Sequence, residues 1–163
     1  MVSKLIYLLP VWMGCDDYLV NALQVCQNKV ARLVTKLDRY TPTNVLLQQC
    51  GWLPVRQLMA YHSLVLLHKT IREKKPAFLY QKVTSGSDQP KTRQAAASLE
   101  ARASAGVPGP PSISSCELGL TRKSWCWSSV YWYNQLPVDL LSEAKVQTFK
   151  TRLKHWVTLH VDC

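Results

Sequence analysis

The chain has 163 residues, a length that suits one domain with or without a tail and excludes a second full domain within it. Apolar residues make up 47% of the chain, which is enough for a hydrophobic core and excludes disorder throughout. Twenty Lys and Arg against ten Asp and Glu give a net charge of +10, which favours a polyanionic partner, either nucleic acid or an acidic membrane surface.

The first element is an apolar stretch from Leu5 to Met13 that Pro10 interrupts. Spanning a bilayer takes about 20 apolar residues, so we expect no transmembrane helix. Residues 1–15 share some features with a signal peptide, although Trp12 and Met13 fit poorly beside a small-residue cleavage site. A small secreted or membrane-associated protein is therefore one alternative, which N-terminal sequencing of the expressed product would test.

Asp17 opens the clearest helical pattern in the chain. Six apolar residues follow at steps of three and four, as on one face of an α-helix: Leu19, Leu23, Cys26, Val30, Leu33 and Leu37. The acids Asp16 and Asp17 suit the N-terminal end of such a helix, and Lys36 and Arg39 suit its C-terminal end. We expect a helix whose apolar stripe faces the core.

Two further helices and a short extension complete the first half. Thr43 caps a short helix that runs to Cys50 and is stopped by Gly51. Pro54 opens a third helix as far as Lys75, and Pro76 restarts the chain for one or two turns through Tyr80. The predicted apolar face of the third helix consists of Leu58, Tyr61, Val65 and His68.

The second half combines a linker with a helical end. Residues 84–116 are mostly Ser, Ala, Gly and Pro, which is typical of a flexible linker. After Leu136 and Pro137 form a corner, a last helix begins beyond Ser142. Its apolar face is Val146, Phe149, Leu153, Trp156 and His160. No segment alternates as a strand does, so we predict an all-α fold.

This organisation predicts a small helical bundle over residues 1–83, a flexible linker over 84–116, and a third part over 117–163. The third part holds an aromatic-rich segment and an amphipathic C-terminal helix that packs on the bundle. Its aromatic residues are Trp125, Trp127, Tyr131, Trp132 and Tyr133. These rings could stack on bases, but core packing is favoured because large aromatics supply most of the buried area of a small helical domain.

Catalytic and metal-binding patterns are weak. Asp16 and Asp17 are the only adjacent acids, and the start of a helix explains them better than a divalent metal site. A zinc site of His155, His160 and Cys163 is disfavoured because the two histidines do not share a helical face. No nucleophile signature or glycine-rich phosphate loop is present. We predict no catalytic residue, metal, cofactor or small-molecule substrate.

The six cysteines contain no C-x-x-C pair and are scattered through apolar or terminal positions. Reduced thiols in an intracellular protein, nuclear or cytoplasmic, are the default for such a pattern.

Basic residues form the best candidate site. Lys29, Arg32, Lys36 and Arg39 recur at steps of 3, 4 and 3 beside the apolar stripe of the first helix, where they could follow a phosphate backbone. A solvated helix face is the competing interpretation. Two smaller clusters add to the charge: Lys69, Arg72, Lys74 and Lys75, and then Lys150, Arg152 and Lys154.

Six short motifs occur in an order typical of one family. They are Tyr7-x-x-Pro10-Val11-Trp12, Leu23-Gln24-x-x-Gln27-Asn28-Lys29-x-x-Arg32, Gly51-Trp52-Leu53-Pro54-Val55, Thr92-Arg93, Trp132-Tyr133-Asn134-x-Leu136-Pro137, and Phe149-Lys150-x-x-Leu153-Lys154-x-Trp156. Together they resemble the C-terminal region of a non-LTR (LINE-like) retrotransposon reverse transcriptase. The resemblance spans nearly the whole chain.

The resemblance implies a thumb-like helical region that follows the catalytic palm and grips RNA template and growing DNA. The paired carboxylates of the palm have no counterpart here, because Asp16 and Asp17 occur too late and outside a strand hairpin. It therefore implies a non-catalytic fragment that binds a template-primer duplex of RNA or DNA. A domesticated helical protein-interaction module is the main alternative. The motif residues expected to be structural are Trp12, Gln27, Asn28, Trp52, Pro54, Trp132, Asn134, Pro137, Phe149 and Trp156.

Overall fold

A computed structural model of the chain describes residues 9–84, 100, 102–106, 111, 125–143 and 145–161. These residues form helices and no strand, which confirms the all-α prediction. Within these residues a 3-10 helix comes first, and α-helices of four to nineteen residues follow it. In chain order these are the 3-10 helix Leu9–Gly14, α1 Asp17–Thr35, α2 Thr43–Cys50, α3 Val55–Glu73, α4 Ala77–Thr84, α5 Trp125–Asn134, α6 Val138–Leu141 and α7 Val146–His160. Most of the predicted linker, with the Thr92-Arg93 motif, lies outside the described residues.

Helix α3 is the centre of the main hydrophobic core. Its Leu64 and Leu67 are fully buried, and helices α5 and α7 pack against it. The predicted apolar face of α3 is only partly correct, because His68 is buried while Leu58, Tyr61 and Val65 are half-buried. The reason is that neighbours cover α3 on several sides. The main core consists of Ala60, Leu64, Leu67, Ile71, Val83, Val130, Tyr133, Leu136, Leu140, Leu141, Phe149, Leu153, Val157 and Val161.

A buried histidine lies inside this core. The ring of His68 stacks on Phe149 at 3.8 Å between centroids, and its Nδ1 lies 3.1 Å from the hydroxyl of Tyr133. Burial, together with the nearby Arg72 charge, lowers the pKa of His68 to about 4, so this ring is neutral at pH 7. His68 is therefore a packed core residue.

The aromatic segment contributes to the same core. Tyr133 is buried. Trp132 packs against the core and meets Trp156 edge to face, with the two ring centroids 6.4 Å apart. Tyr131 is about half exposed, and the side chain of Trp127 lies outside the described residues. Core packing is thus the role of Tyr133 and Trp132.

Helix α1 buries a different face from the one its apolar stripe predicts. Its buried residues are Val20, Gln27 and Ala31, whereas Leu19 is 44% exposed and Leu33 is 79% exposed. The prediction that the stripe faces the core is therefore wrong for these two leucines and for Cys26, which is also exposed, while the other three members are half-buried. Polar contacts explain the difference, since amide side chains of α1 bond to the connection between α2 and α3.

Three amides on α1 make these contacts. Gln27 donates from Nε2 to the carbonyl oxygen of Leu53 at 2.9 Å, and Asn28 donates from Nδ2 to Thr43 Oγ1 at 3.2 Å. Gln24 accepts a 2.8 Å hydrogen bond at Oε1 from the backbone N–H of Val55, the first residue of α3. That N–H has no partner within its own helix, so Gln24 caps α3 from a neighbouring helix.

Other helix ends are bonded in the same way. Gln57 on α3 donates to the carbonyl oxygen of Val161 after α7, at 2.9 Å, and Arg72 donates to the carbonyl oxygen of Leu141 in α6, at 2.6 Å. Arg102 donates to the carbonyl oxygen of Asn134, the last residue of α5, at 3.2 Å. Helix ends carry the backbone groups that lack partners within a helix, so these side chains both satisfy those groups and join the helices.

Candidate nucleic-acid interface

The predicted basic row on α1 faces solvent. Lys29, Arg32 and Lys36 follow at three and four residues, so they share the side of the helix turned away from Gln27. Lys29, Lys36 and Arg39 are exposed. Arg39 lies beyond the helix, with its guanidinium carbon 5.3 Å from the ring centroid of Tyr40. Three exposed cations, in the C-terminal half of α1 and just beyond it, are therefore available to a polyanion.

Arg32 differs from the other members of the row. It is half-buried, and its Nε is buried without a hydrogen-bond partner in the part of the chain that the structure describes. The carbonyl oxygen of Arg32 accepts a 2.8 Å hydrogen bond from the backbone N–H of Lys36, which ends the helix in the left-handed region at φ 56°. The backbone of Arg32 thus bonds the residue that ends α1, and its side chain adds a positive charge to the basic row.

The second basic cluster is divided between fold and surface. The Arg72 guanidinium is held by Leu141, and Lys69 Nζ lies 3.9 Å from Glu73. Lys74 and Lys75 are exposed beyond the end of α3. Only these two lysines are placed as the prediction of a phosphate-binding cluster requires.

The third basic cluster lies on α7. Arg152 pairs with Glu143 at 2.5 Å. Lys154 is exposed and places Nζ 3.5 Å from the carbonyl oxygen of Gly51. Lys150 is half-buried and lies close enough to His62 to lower its pKa, an effect that adds to the larger one of burial.

The motif residues mostly make contacts between elements. Phe149 is fully buried on His68, Trp132 meets Trp156, and Trp52 packs on Ala31 and its neighbours. Pro54 and Pro137 stand at the N-cap positions of α3 and α6. Asn134 accepts from Arg102 Nη1 and donates to the carbonyl oxygen of Pro111, each at 3.2 Å. Trp12 is 40% exposed.

The acid pair at the start of α1 serves the helix and an ion pair. Asp16 occupies the N-cap position, although its side chain makes no capping hydrogen bond. Asp17 Oδ1 lies 2.7 Å from Arg56 Nη2 on α3. Across the described ranges, no three His, Cys, Asp or Glu side chains come together as metal ligands.

Sequence reasoning missed the exposed apolar side chains beside the basic row. Tyr18 and Val25 share the solvent-facing side of α1 with Lys29 and Lys36, and Tyr18 is 79% exposed. The signal was in the sequence, because seven residues separate Tyr18 from Val25 and eleven separate Val25 from Lys36. The candidate interface therefore combines exposed apolar groups towards the start of α1 with cations towards its end.

No described helix combines the length and apolar character needed to cross a membrane. The fold and this surface define a small all-α protein with a basic helical edge. The chain matches no family model, no curated protein and no solved structure in the three comparisons made.

Proposed function

We propose that this chain is a non-catalytic, C-terminal thumb-like part of a non-LTR retrotransposon reverse transcriptase and contributes template-primer binding. The observation that carries the proposal is the basic row of α1 and its C-terminal end, where Lys29, Lys36 and Arg39 are all exposed to solvent. Such a row can follow a phosphate backbone, which supplies sequence-independent affinity. The ion pair of Asp17 with Arg56 supports a structural role for the acid pair, in keeping with a chain that leaves catalysis to other residues.

The motif contacts support the same proposal. Gln27, Asn28, Phe149 and Trp156 each join two elements of the fold. A helical unit that positions a basic edge needs such contacts to keep that edge rigid. Of these motif residues, Gln27 and Asn28 hold α1 on its neighbours, and Phe149 and Trp156 hold the main core together.

A salt titration tests the proposal. The triple variant Lys29→Gln, Lys36→Gln and Arg39→Gln leaves the half-buried Arg32 in place. Binding to a template-primer duplex should weaken by similar factors whatever the sequence, because phosphate contacts carry no base information. The slope of log affinity against log salt should flatten by about 0.9 for each lost contact, or roughly 3 units in all.

The matched control removes the same charge elsewhere. In the variant Lys69→Gln, Lys82→Gln and Lys145→Gln the net charge falls by the same amount at exposed lysines that the structure does not place in a phosphate-binding cluster, and the basic row of α1 stays intact. Circular dichroism should show both variants folded, since Gln is a good helix former. If the slope of log affinity against log salt flattened equally in both variants, net charge alone would explain the effect. An unchanged slope in the α1 variant would refute the proposal.

The second candidate function is a domesticated helical protein-interaction module. The observation that favours it is the exposed apolar surface of α1, where Leu33 and Val34 are 79% and 64% exposed. Exposed apolar patches often mark protein contacts. If the chain is folded but does not bind nucleic acid even at low salt, that result would favour this function.

A further inference from the structure

A cleft of about 240 Å³ opens where the α2–α3 connection, α3 and α7 meet. Its walls come from Gly51 and Trp52 in the connection, Leu58, Tyr61 and His62 on α3, and Lys154 on α7. Gln27 and Leu53 close its base, where the amide of Gln27 is already bonded to the Leu53 carbonyl oxygen. The cleft is smaller than the roughly 300–1,000 Å³ typical of drug-sized ligands, so it suits a single planar ring system.

Aromatic rings give the cleft its chemistry. Trp52 is half-buried, because it packs on the small cluster of Ala31, Leu46 and Leu47 while it also lines the cleft. The rings of Tyr61 and His62 meet edge to face, with centroids 5.2 Å apart. Because Trp52 is anchored by the cluster behind it, its ring would offer a stacking surface without a large loss of side-chain freedom.

The remaining wall is cationic. Lys154 is exposed with its ammonium near the Gly51 carbonyl oxygen, and Lys150 lies one turn earlier on the same side of α7. Lys150 acts on His62 electrostatically, which places that cation beside the cleft as well. Burial and this cation lower the pKa of His62, so the ring is uncharged at pH 7 and does not add a third positive charge.

We propose that this cleft binds one unpaired nucleobase of a single-stranded segment, stacked on Trp52, with the adjoining phosphates on Lys150 and Lys154. The inference rests on the proposed nucleic-acid binding and adds a contact distinct from the basic row of α1, which faces away from Gln27. Aromatic rings beside a basic groove are the usual means of holding a single strand, because every base has a π face. The occupant is a base that belongs to a strand, and a free nucleotide is the competing source of the same chemistry.

The experiment separates base binding from phosphate binding. Two fluorescently labelled strands of about ten nucleotides are compared, one fully abasic and one carrying a single central base. The single base should tighten binding to the full chain by about fivefold or more, the lower end of base–aromatic stacking. Equal affinity for both strands would overturn the cleft inference while leaving phosphate binding intact. Failure of both strands to bind at low salt would overturn the cleft inference, and only failure of a template-primer duplex to bind as well would refute the proposed function.

Variants locate the effect. Trp52→Leu should abolish the preference for the single base and leave affinity for the abasic strand unchanged. Trp12→Leu is the matched control, because Trp12 is an exposed tryptophan that does not line the cleft. If Trp12→Leu removed the preference and Trp52→Leu did not, the cleft would be the wrong site.

A measurement on the unaltered chain covers the case in which Trp52→Leu fails to fold. A strand with a photoreactive 4-thiouracil as its only base should crosslink to Trp52 or Tyr61, identified by mass spectrometry of the peptides. Crosslinks confined to Tyr18 or Tyr40 near the basic row would overturn the inference. A nucleoside monophosphate that competes as well as the strand would show that a free nucleotide is the occupant, which would also overturn it.

Discussion

Helix α3 and helix α1 are equally long, with 19 residues each, yet they enter the fold in opposite ways. Ten residues of α3 are buried, and six of these are apolar side chains. Helix α1 buries only Val20, Gln27 and Ala31 and leaves Leu19 and Leu33 exposed. The hydrophobic effect positions α3, whereas side-chain amides bonded to backbone groups position α1.

The difference separates stability from binding. A helix covered on several sides stabilises the fold but has little surface left for a partner. Helix α1 is fixed on one side by Gln24 and Gln27, so its other side is free to present cations. Amide contacts to backbone groups are directional, and therefore they set the rotation of α1 even against its apolar stripe.

Matched leucine truncations should give the largest contrast between the two helices. Leu64→Ala removes a fully buried side chain of the main core, so we expect it to lower the free energy of unfolding by about 2–5 kcal/mol. Leu33→Ala, at a side chain 79% exposed, should stay within about 0.5 kcal/mol of the unaltered protein. Urea denaturation followed by circular dichroism measures both.

The apolar stripe of α1 predicts instead that Leu33 is buried and that Leu33→Ala lowers the free energy of unfolding substantially. If Leu33→Ala cost as much as Leu64→Ala, the stripe would be buried in solution, either in the core or against a second molecule. Repeating the measurement at two protein concentrations separates these cases, because only burial against another molecule depends on concentration.

The buried histidine makes the α3 core sensitive to acid. The pKa of His68 is about 4 in the fold and near its ordinary value of 6.5 when unfolded. As the pH falls below about 6.5, the unfolded chain takes up the proton first, so stability is lost between pH 6.5 and 4. The slope should reach at most about 1.4 kcal/mol per pH unit.

Denaturation midpoints at a series of pH values measure this slope, and His68→Phe should flatten it because the titrating group is gone. His62→Gln serves as the control, since the pKa of His62 is also lowered but its ring lies outside the main core. A slope unchanged by His68→Phe and removed by His62→Gln would place the acid sensitivity at the cleft.

Removing one buried amide tests how α1 is held. Gln27→Ala leaves the carbonyl oxygen of Leu53 without its donor, and we expect a loss of about 1–3 kcal/mol. Asn21→Ala, at an exposed position on the same helix, is the control and should change little. Equal and small losses would mean that apolar contacts, such as those of Val20, hold the helix instead.

The helices of this fold were largely predictable, and the faces they bury were less so. Periodicity and the residues Gly51 and Pro54 place helix boundaries because they act locally, whereas the helices α5 and α6 on either side of the predicted corner at Pro137 were not predicted. Which side of α1 is buried depends on backbone groups at Leu53 and Val55, which only the folded chain brings near. Charge predicted the exposed Lys29 and Lys36, but not that the fold would use Arg72 to bond Leu141.

The cleft escaped sequence reasoning for the same reason. Trp52 and Lys154 are 102 positions apart in the chain, in two separate motifs whose order does not indicate that they meet. Tyr61 belongs to the predicted apolar face of α3 and its sequence neighbour His62 does not, so no sequence signal indicates that the two rings line one wall. Their proximity is a consequence of how α3 and α7 pack together.

The ion pair between Asp17 and Arg56 should have the smallest effect, although it joins the two helices directly. Both side chains are largely exposed, at 79% and 41%, so solvent screens the pair and its contribution should be below about 1 kcal/mol. Asp17→Asn also removes a negative charge from the first turn of α1, worth a few tenths of a kcal/mol to about 1 kcal/mol. Arg56→Gln breaks the pair and leaves that charge in place. The difference between the two variants in urea denaturation at low salt therefore isolates the helix-dipole contribution, and both losses should shrink in high salt. A loss of more than about 2 kcal/mol in the free energy of unfolding that persists in high salt would show that the ion pair holds α1 on α3. The amides of Gln24 and Gln27 would then contribute less to holding α1 than the ion pair does.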